Sequence, residues 1–198
     1  GYGLKSSSAI SSAVALSCAK AFGKKISDEE ILKLGAKTSI QTKVSITGAY
    51  DDACSCHFGG FNVTDNLRMK LIHRELAPKD LQAIIFLPKS RKRGNLKKLK
   101  DFSNAFEKSW ELAMKSDYWN AAILNGIATT SILNSEPRLI MRLMDKGAHC
   151  ATISGNGPSI ITITDKKHRV KILKEFSDLE GKIMTANINN KKAFVHEL

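Results

Sequence analysis

Three short segments of this 198-residue chain bring together residue types that can handle phosphate. The first, Gly1-Tyr2-Gly3-Leu4-Lys5-Ser6-Ser7-Ser8-Ala9, runs without a break into a small-residue helix expected over Ile10 to Phe22. The first N–H groups of a helix lack internal partners and carry the positive end of its dipole, so a glycine- and serine-rich helix start suits anions. Hydroxyls at that turn can also reach a magnesium ion held by nucleotide phosphates. The loop departs from G-x-x-x-x-G-K-[ST] and carries no dinucleotide fingerprint. Taken alone it also reads as a plain N-cap.

The second segment is Thr47-Gly48-Ala49-Tyr50-Asp51-Asp52-Ala53. A glycine turn here delivers two carboxylates to the first turn of a short helix, where the dipole favours the ionised form. A carboxylate so placed can accept the proton of an attacking hydroxyl, the role an aspartate plays in hydroxyl-directed phosphoryl transfer. Capping of the helix is the plainer alternative. The third is Ser154-Gly155-Asn156-Gly157-Pro158-Ser159, where two glycines let backbone amides approach an anion, or simply make a tight turn. Cys54-Ser55-Cys56-His57 has the composition of a metal cluster without its spacing, and no second pair matches it, so zinc is not expected.

These segments need elements to hold them. Gly23 is suited to end the first helix, and Ser27-Asp28-Glu29-Glu30 is a capping box opening a second that runs to about Gln41. Ala49 to Phe58 follows as a short helix, Phe61 to Asn66 alternates like a strand with a turn after it, and Met69 to Leu76 is a second extended stretch. Pro78 marks the expected domain boundary, giving domains 1–78 and 79–198. Beyond it, Leu81 to Leu87 reads as a buried strand and Leu96 to Met114 as one helix by its apolar spacing. Helices at Tyr118 to Leu133, Arg138 to Met144 and Lys167 to Phe176 alternate with strands at His149 to Ile153, Ser159 to Thr164, Lys182 to Asn187 and Lys191 to His196. That order is an α+β sandwich of helices on an antiparallel sheet.

Hydrophobic residues make up 42% of the chain, enough for a true core, and no apolar run is long enough for a membrane span. Cys18 and Cys150 lie in apolar or small-residue surroundings expected for buried free thiols, and the four cysteines show no C-x-x-C spacing. A reducing, cytoplasmic setting fits them. The net charge of +12 invites a nucleic-acid reading, but lysines are spread over almost every segment. The densest run, Lys89 to Lys98, has no aromatic residue for base stacking, so no dedicated nucleic-acid partner is expected. The same field suits small anionic substrates. A phosphate loop needs a strand before it, so sequence N-terminal to Gly1 is expected as well.

In this order and spacing, the three segments resemble the superfamily of galacto-, homoserine, mevalonate and phosphomevalonate (GHMP) kinases. Gly3-Leu4-Lys5-Ser6-Ser7-Ser8-Ala9 is similar to its second motif, with Lys5 in place of a glycine, and Ser154 to Ser159 matches its S-G-x-G-P-S motif. Gly48 to Ala53 followed by Gly59-Gly60 resembles the stretch carrying the catalytic aspartate, which the resemblance places at Asp51. The variants G-L-K-S-S-S-A and T-G-A-Y-D-D-A-C are most similar to the archaeal type of shikimate kinase. The resemblance implies a two-domain α+β fold, an incomplete N-terminal domain of the ribosomal protein S5 domain 2-like type plus a ferredoxin-like C-terminal domain. It also implies ATP and Mg2+ as cofactors and shikimate as the acceptor.

By the same resemblance Gly3, Leu4, Lys5, Ser6, Ser7, Ser8, Gly155 and Gly157 bind ATP. Some relatives use a glutamate about ten residues before the aspartate as a magnesium ligand, but no acidic residue stands between Glu30 and Asp51. Ligation then falls to Ser7, with Asp52 or residues outside this sequence as the alternatives. Arg91, Arg93 and Arg138 are candidate partners for a substrate carboxylate, none of them assigned.

Overall fold

The computed structural model describes residues 1–43, 45, 48–90, 96–133 and 137–196. Its Cα packing separates two compact units, one made of Gly1–Leu4 and Pro78–Ile188, the other of Lys5–Ala77 and Asn189–Leu198. This partition differs at both chain ends from a division into 1–78 and 79–198.

In the unit built on Lys5–Ala77, three helices stand beside a β-ribbon. They are α1 (Ser6–Ala21), α2 (Asp28–Gln41) and α3 (Tyr50–Phe58), and the ribbon pairs β1 (Phe61–Asp65) with β2 (Lys70–Glu75) in antiparallel fashion. Ser27 opens α2 with the expected reciprocal capping box, its hydroxyl accepting from the Glu30 N–H while the Glu30 carboxylate accepts from the Ser27 N–H. The core joins Leu32 and Ala36 of α2 to Tyr50, Ala53 and Cys54 of α3, with Met69 and Leu71 packed against it.

Helix α1 inverts the usual polarity. Its buried residues are Ser8 and Ser12, whereas Ile10, Val14 and Phe22 are exposed. Small side chains line this contact: a Cβ added at Gly35 of α2 would stand 3.5 Å from the Ser11 backbone. Cys18 accordingly lies exposed on α1, contrary to its expected burial, while Cys54 and Cys150 are buried. Burial pushes the thiols of Cys54 and Cys150 up to about 12, which keeps both protonated and poorly nucleophilic.

The other unit is a four-stranded antiparallel sheet in the order β4-β5-β3-β6, formed by β3 (Gln82–Pro88), β4 (Cys150–Ile153), β5 (Ile160–Thr164) and β6 (Gly181–Asn187). Helices α4 (Ser103–Met114), α5 (Tyr118–Ile132) and α6 (Pro137–Asp145) connect β3 to β4, and α7 (Arg169–Lys174) connects β5 to β6. This β-α-β-β-α-β path is the ferredoxin-like arrangement. Ile84 and Phe86 of β3, Ala151 of β4, Ile140 and Leu143 of α6, and Ile172 of α7 share one core, in which Phe86 stacks on Phe176 at 5.1 Å.

Two expected elements differ. The apolar spacing from Leu96 to Met114 is carried by a 3-10 helix over Leu96–Phe102 followed by α4, not by one helix. Residues 191–196 form no strand. Their neighbourhood bonds elsewhere: Gly60 N–H donates to Asn189 O at 2.9 Å, Ala193 N–H to His57 O at 2.6 Å, and the Asn190 amide pairs with both backbone groups of Ala77. Lys192 and the buried His57 both meet the Asp28 carboxylate, at 2.6 and 3.0 Å.

Helix α5 approaches β4 closely at Gly126, where an added Cβ would stand 2.8 Å from the Thr152 Cα. Alanine gains about 1 kcal/mol in helix propensity, but overpacking costs about 1–3 kcal/mol. Gly126→Ala is therefore expected to lower the urea midpoint. An unchanged midpoint would show that α5 lifts from β4 at no cost.

Candidate active site

Gly3 sits at φ +80 in the unit that contains the Ser154–Ser159 turn, and the two segments are bonded together. Ser154 Oγ donates to Gly3 O at 2.7 Å, and Ser159 donates to Tyr2 O through both its hydroxyl and its N–H. No side chain fits at Gly3, because a Cβ would fall 2.2 Å from Ser154 O. The turn closes on itself through Gly157 N–H to Ser154 O and Ser154 N–H to Ser159 O, both 2.9 Å, with Gly155 and Gly157 at positive φ. Its serines thus hold the start of the glycine loop by its carbonyls, and the N–H groups of Ser154, Gly157 and Ser159 are likewise spent, so an anion could meet only the amides of Gly155 and Asn156 in this turn.

The other unit holds Lys5, Ser6, Ser7, Ser8, Asp51 and Asp52. Lys5 is the residue before α1 and is left-handed, at φ 60 and ψ 19. A non-glycine residue pays about 1 kcal/mol for that conformation. With no side-chain cap at Lys5, the first turn of α1 presents uncapped amides beside the exposed Ser6 and Ser7, while Ser8 is buried.

The Lys5 ammonium pairs with Asp52 Oδ1. Burial pushes the Asp52 carboxyl above its ordinary 3.8, the Lys5 charge draws it back, and the adjacent Asp51 pushes it up again, with a net rise. Asp52 is thereby engaged by a cation of its own chain.

Asp51 is held differently. Helix α3 starts after Ala49, another left-handed residue with no capping side chain. Asn66, in the turn after β1, fills that gap from across the fold: its Oδ1 accepts from Asp51 N–H at 2.9 Å and its Nδ2 donates to Asp51 Oδ1 at 2.7 Å. Thr64 Oγ1 donates to the same Asn66 Oδ1 at 2.9 Å. The β1/β2 register shifts between Val63 and Thr64, and such a bulge re-aims the side chains that follow it.

Sequence reasoning missed Asn66 and Thr64, because Asn in a Thr-Asp-Asn stretch after a strand reads as turn chemistry. Thr47, Arg91 and Arg93 lie outside the described residues, and Arg138 is exposed in the first turn of α6. No group of three His, Cys, Asp or Glu side chains that could hold a metal occurs among the described residues, and no described helix is long and apolar enough to cross a membrane.

Residues 1–60 match the family described as "GHMP kinases N terminal domain", which sets the class. A solved homoserine kinase from Cytophaga hutchinsonii superposes with a TM-score of 0.71 at 19% identity, over 96% of this chain and 67% of that one, so the fold is that of GHMP kinases. A shikimate kinase from Methanosarcina acetivorans is 36% identical over 96% of this chain, which spans 66% of that relative's length. One from Methanothrix thermoacetophila is 31% identical over 96% of the chain and 67% of its own length. The chain belongs to the GHMP kinases and, within them, to the archaeal shikimate kinase family.

The raised Asp52 carboxyl has a defined consequence. The native state keeps this proton to higher pH than the unfolded chain, so Asp52 increasingly opposes folding as pH rises from about 3.8 through its raised pKa. The stability of the wild type relative to Asp52→Asn should fall across that window and level off above it, as read by urea unfolding at a series of pH values. A pH-independent difference would contradict the burial of this charge.

Proposed function

We propose that the protein transfers the γ-phosphoryl group of ATP to the 3-hydroxyl of shikimate, giving shikimate 3-phosphate for aromatic amino-acid biosynthesis. The observation that carries this reading is the similarity, at 36% identity over 96% of the chain, to a curated shikimate kinase. Gly3, Leu4, Lys5, Ser6, Ser7 and Ser8 form the stretch proposed to bind the ATP phosphates, chiefly through backbone amides at the start of α1. Gly155 and Gly157, both at positive φ, are proposed to let the nucleotide approach the backbone of that turn, where the Gly157 N–H itself is already bonded to Ser154 O.

Asp51 is the proposed base. It accepts the proton of the substrate hydroxyl as that oxygen bonds to the γ-phosphorus and the bond to the β-phosphate oxygen breaks, releasing ADP. Little more is required of the protein, since phosphoryl transfer is mostly positioning and charge neutralisation.

A magnesium ion bound with ATP supplies neutralisation of phosphate charge. Such an ion takes most of its oxygens from phosphates and water and needs only one or two from protein. The exposed Ser7 hydroxyl fits that requirement, whereas Asp52 is occupied by Lys5.

Release of ADP by the whole protein, assayed with shikimate, homoserine and mevalonate in turn, tests the acceptor; shikimate is expected to be the one consumed. Asp51→Asn should lower kcat by at least ~100-fold. Full turnover by a folded Asp51→Asn protein would remove Asp51 from the chemistry, and preference for another acceptor would overturn the substrate.

A further inference from the structure

The geometry points to Asn66 as the positioning residue of Asp51, with Thr64 fixing the orientation of its amide; this rests on Asp51 as the base proposed above. Two donors converge on Asn66 Oδ1, the Asp51 N–H and the Thr64 hydroxyl, each at 2.9 Å. A backbone N–H can only donate, so that end of the side chain must be the carbonyl oxygen. The NH2 end is then the one facing Asp51 Oδ1 at 2.7 Å. The amide orientation follows from the network itself.

The partner's chemistry suits a base. An amide fixes one carboxylate oxygen without neutralising the charge, and Asn66 engages Oδ1 only, which leaves Oδ2 as the oxygen to meet a hydroxyl proton. Asp52, one residue on, receives the cation instead. The fold thus divides two adjacent acids between a neutral and a charged partner.

The competing explanation is that Asn66 merely caps α3, whose own N-cap residue Ala49 offers no side chain for the task. Asn66→Asp separates the two. It keeps an acceptor for the Asp51 N–H and for the Thr64 hydroxyl, and so keeps the cap, but it replaces the donor facing Asp51 Oδ1 with a carboxylate oxygen.

Positioning predicts that Asn66→Asp lowers kcat by about 30-fold or more, since misplacement of a reacting group by about 1 Å can cost 100-fold. The KM values for ATP and shikimate should stay within about threefold, because neither substrate touches Asn66 in this scheme. Thr64→Val frees the amide without adding charge and should cost about 3- to 10-fold in kcat alone. Crystal structures of both variants should show the Asp51 carboxylate turned from its wild-type orientation.

Wild-type kcat in folded Asn66→Asp, or an unmoved Asp51 side chain in both variants, would overturn the assignment and leave Asn66 as a cap. The two proposals fail separately. If Asp51→Asn retains turnover or shikimate is not consumed, the functional reading falls, while the position of Asp51 in the variant structures still decides the role of Asn66.

Discussion

Two carboxylates on consecutive residues of one helical turn repel each other, and the surroundings of α3 are arranged around that repulsion. Asp51 is one of the charges that raises the Asp52 carboxyl, yet burial contributes more, and a neighbouring cation opposes both. Lys5 provides it from the residue before α1. Glycine would adopt φ 60 at that position without strain. Lysine accepts a strained backbone in exchange for a charge that reaches α3. The loop and the acidic turn are therefore one electrostatic unit, even though 46 residues of sequence lie between Lys5 and Asp52.

The Ser-Gly-Asn-Gly-Pro-Ser turn shows a related division of labour. Its composition suggests hydroxyls and amides offered to a ligand, but both serine hydroxyls are used on the carbonyls of Tyr2 and Gly3. The motif's side chains organise the glycine loop, and only its backbone is left for anion contact. Glycine at position 3 is required by the same packing, since Ser154 O occupies the space of a Cβ. One of the three motifs thus shapes another, which gives their joint occurrence in a sequence a physical reason.

Much of this was legible beforehand because it depends on local chemistry. The Ser27–Glu30 box, the apolar strand before Pro88 and the glycine-proline turn are each specified by neighbouring residues, and all appear where the sequence places them. The misreadings share a different cause. Cys18 looks buried by composition, but α1 packs through serines and a glycine of α2, which no hydrophobic pattern announces. Residues 191–196 alternate like a strand, yet the nearby chain spends its hydrogen bonds on Gly60, His57 and Ala77. Asn66 was invisible for the same reason: its partner Asp51 is fifteen residues away, and its local sequence already had a sufficient explanation as a turn.

The fold does not by itself select the acceptor. A homoserine kinase shares this architecture with a TM-score of 0.71 at 19% identity, so the arrangement of sheet and helices alone does not set one such protein apart from another. What separates archaeal shikimate kinase relatives at 31–36% identity must lie in features finer than topology. In this chain the left-handed Lys5 is a feature of that finer scale, because its charge reaches the acidic turn from a single side chain. The Asn66–Thr64 clamp is of the same scale, since it rests on a register shift and two side chains. Specificity in such a fold is most economically changed at these joints, where a single side chain sets the orientation or charge of a group that the scaffold already places.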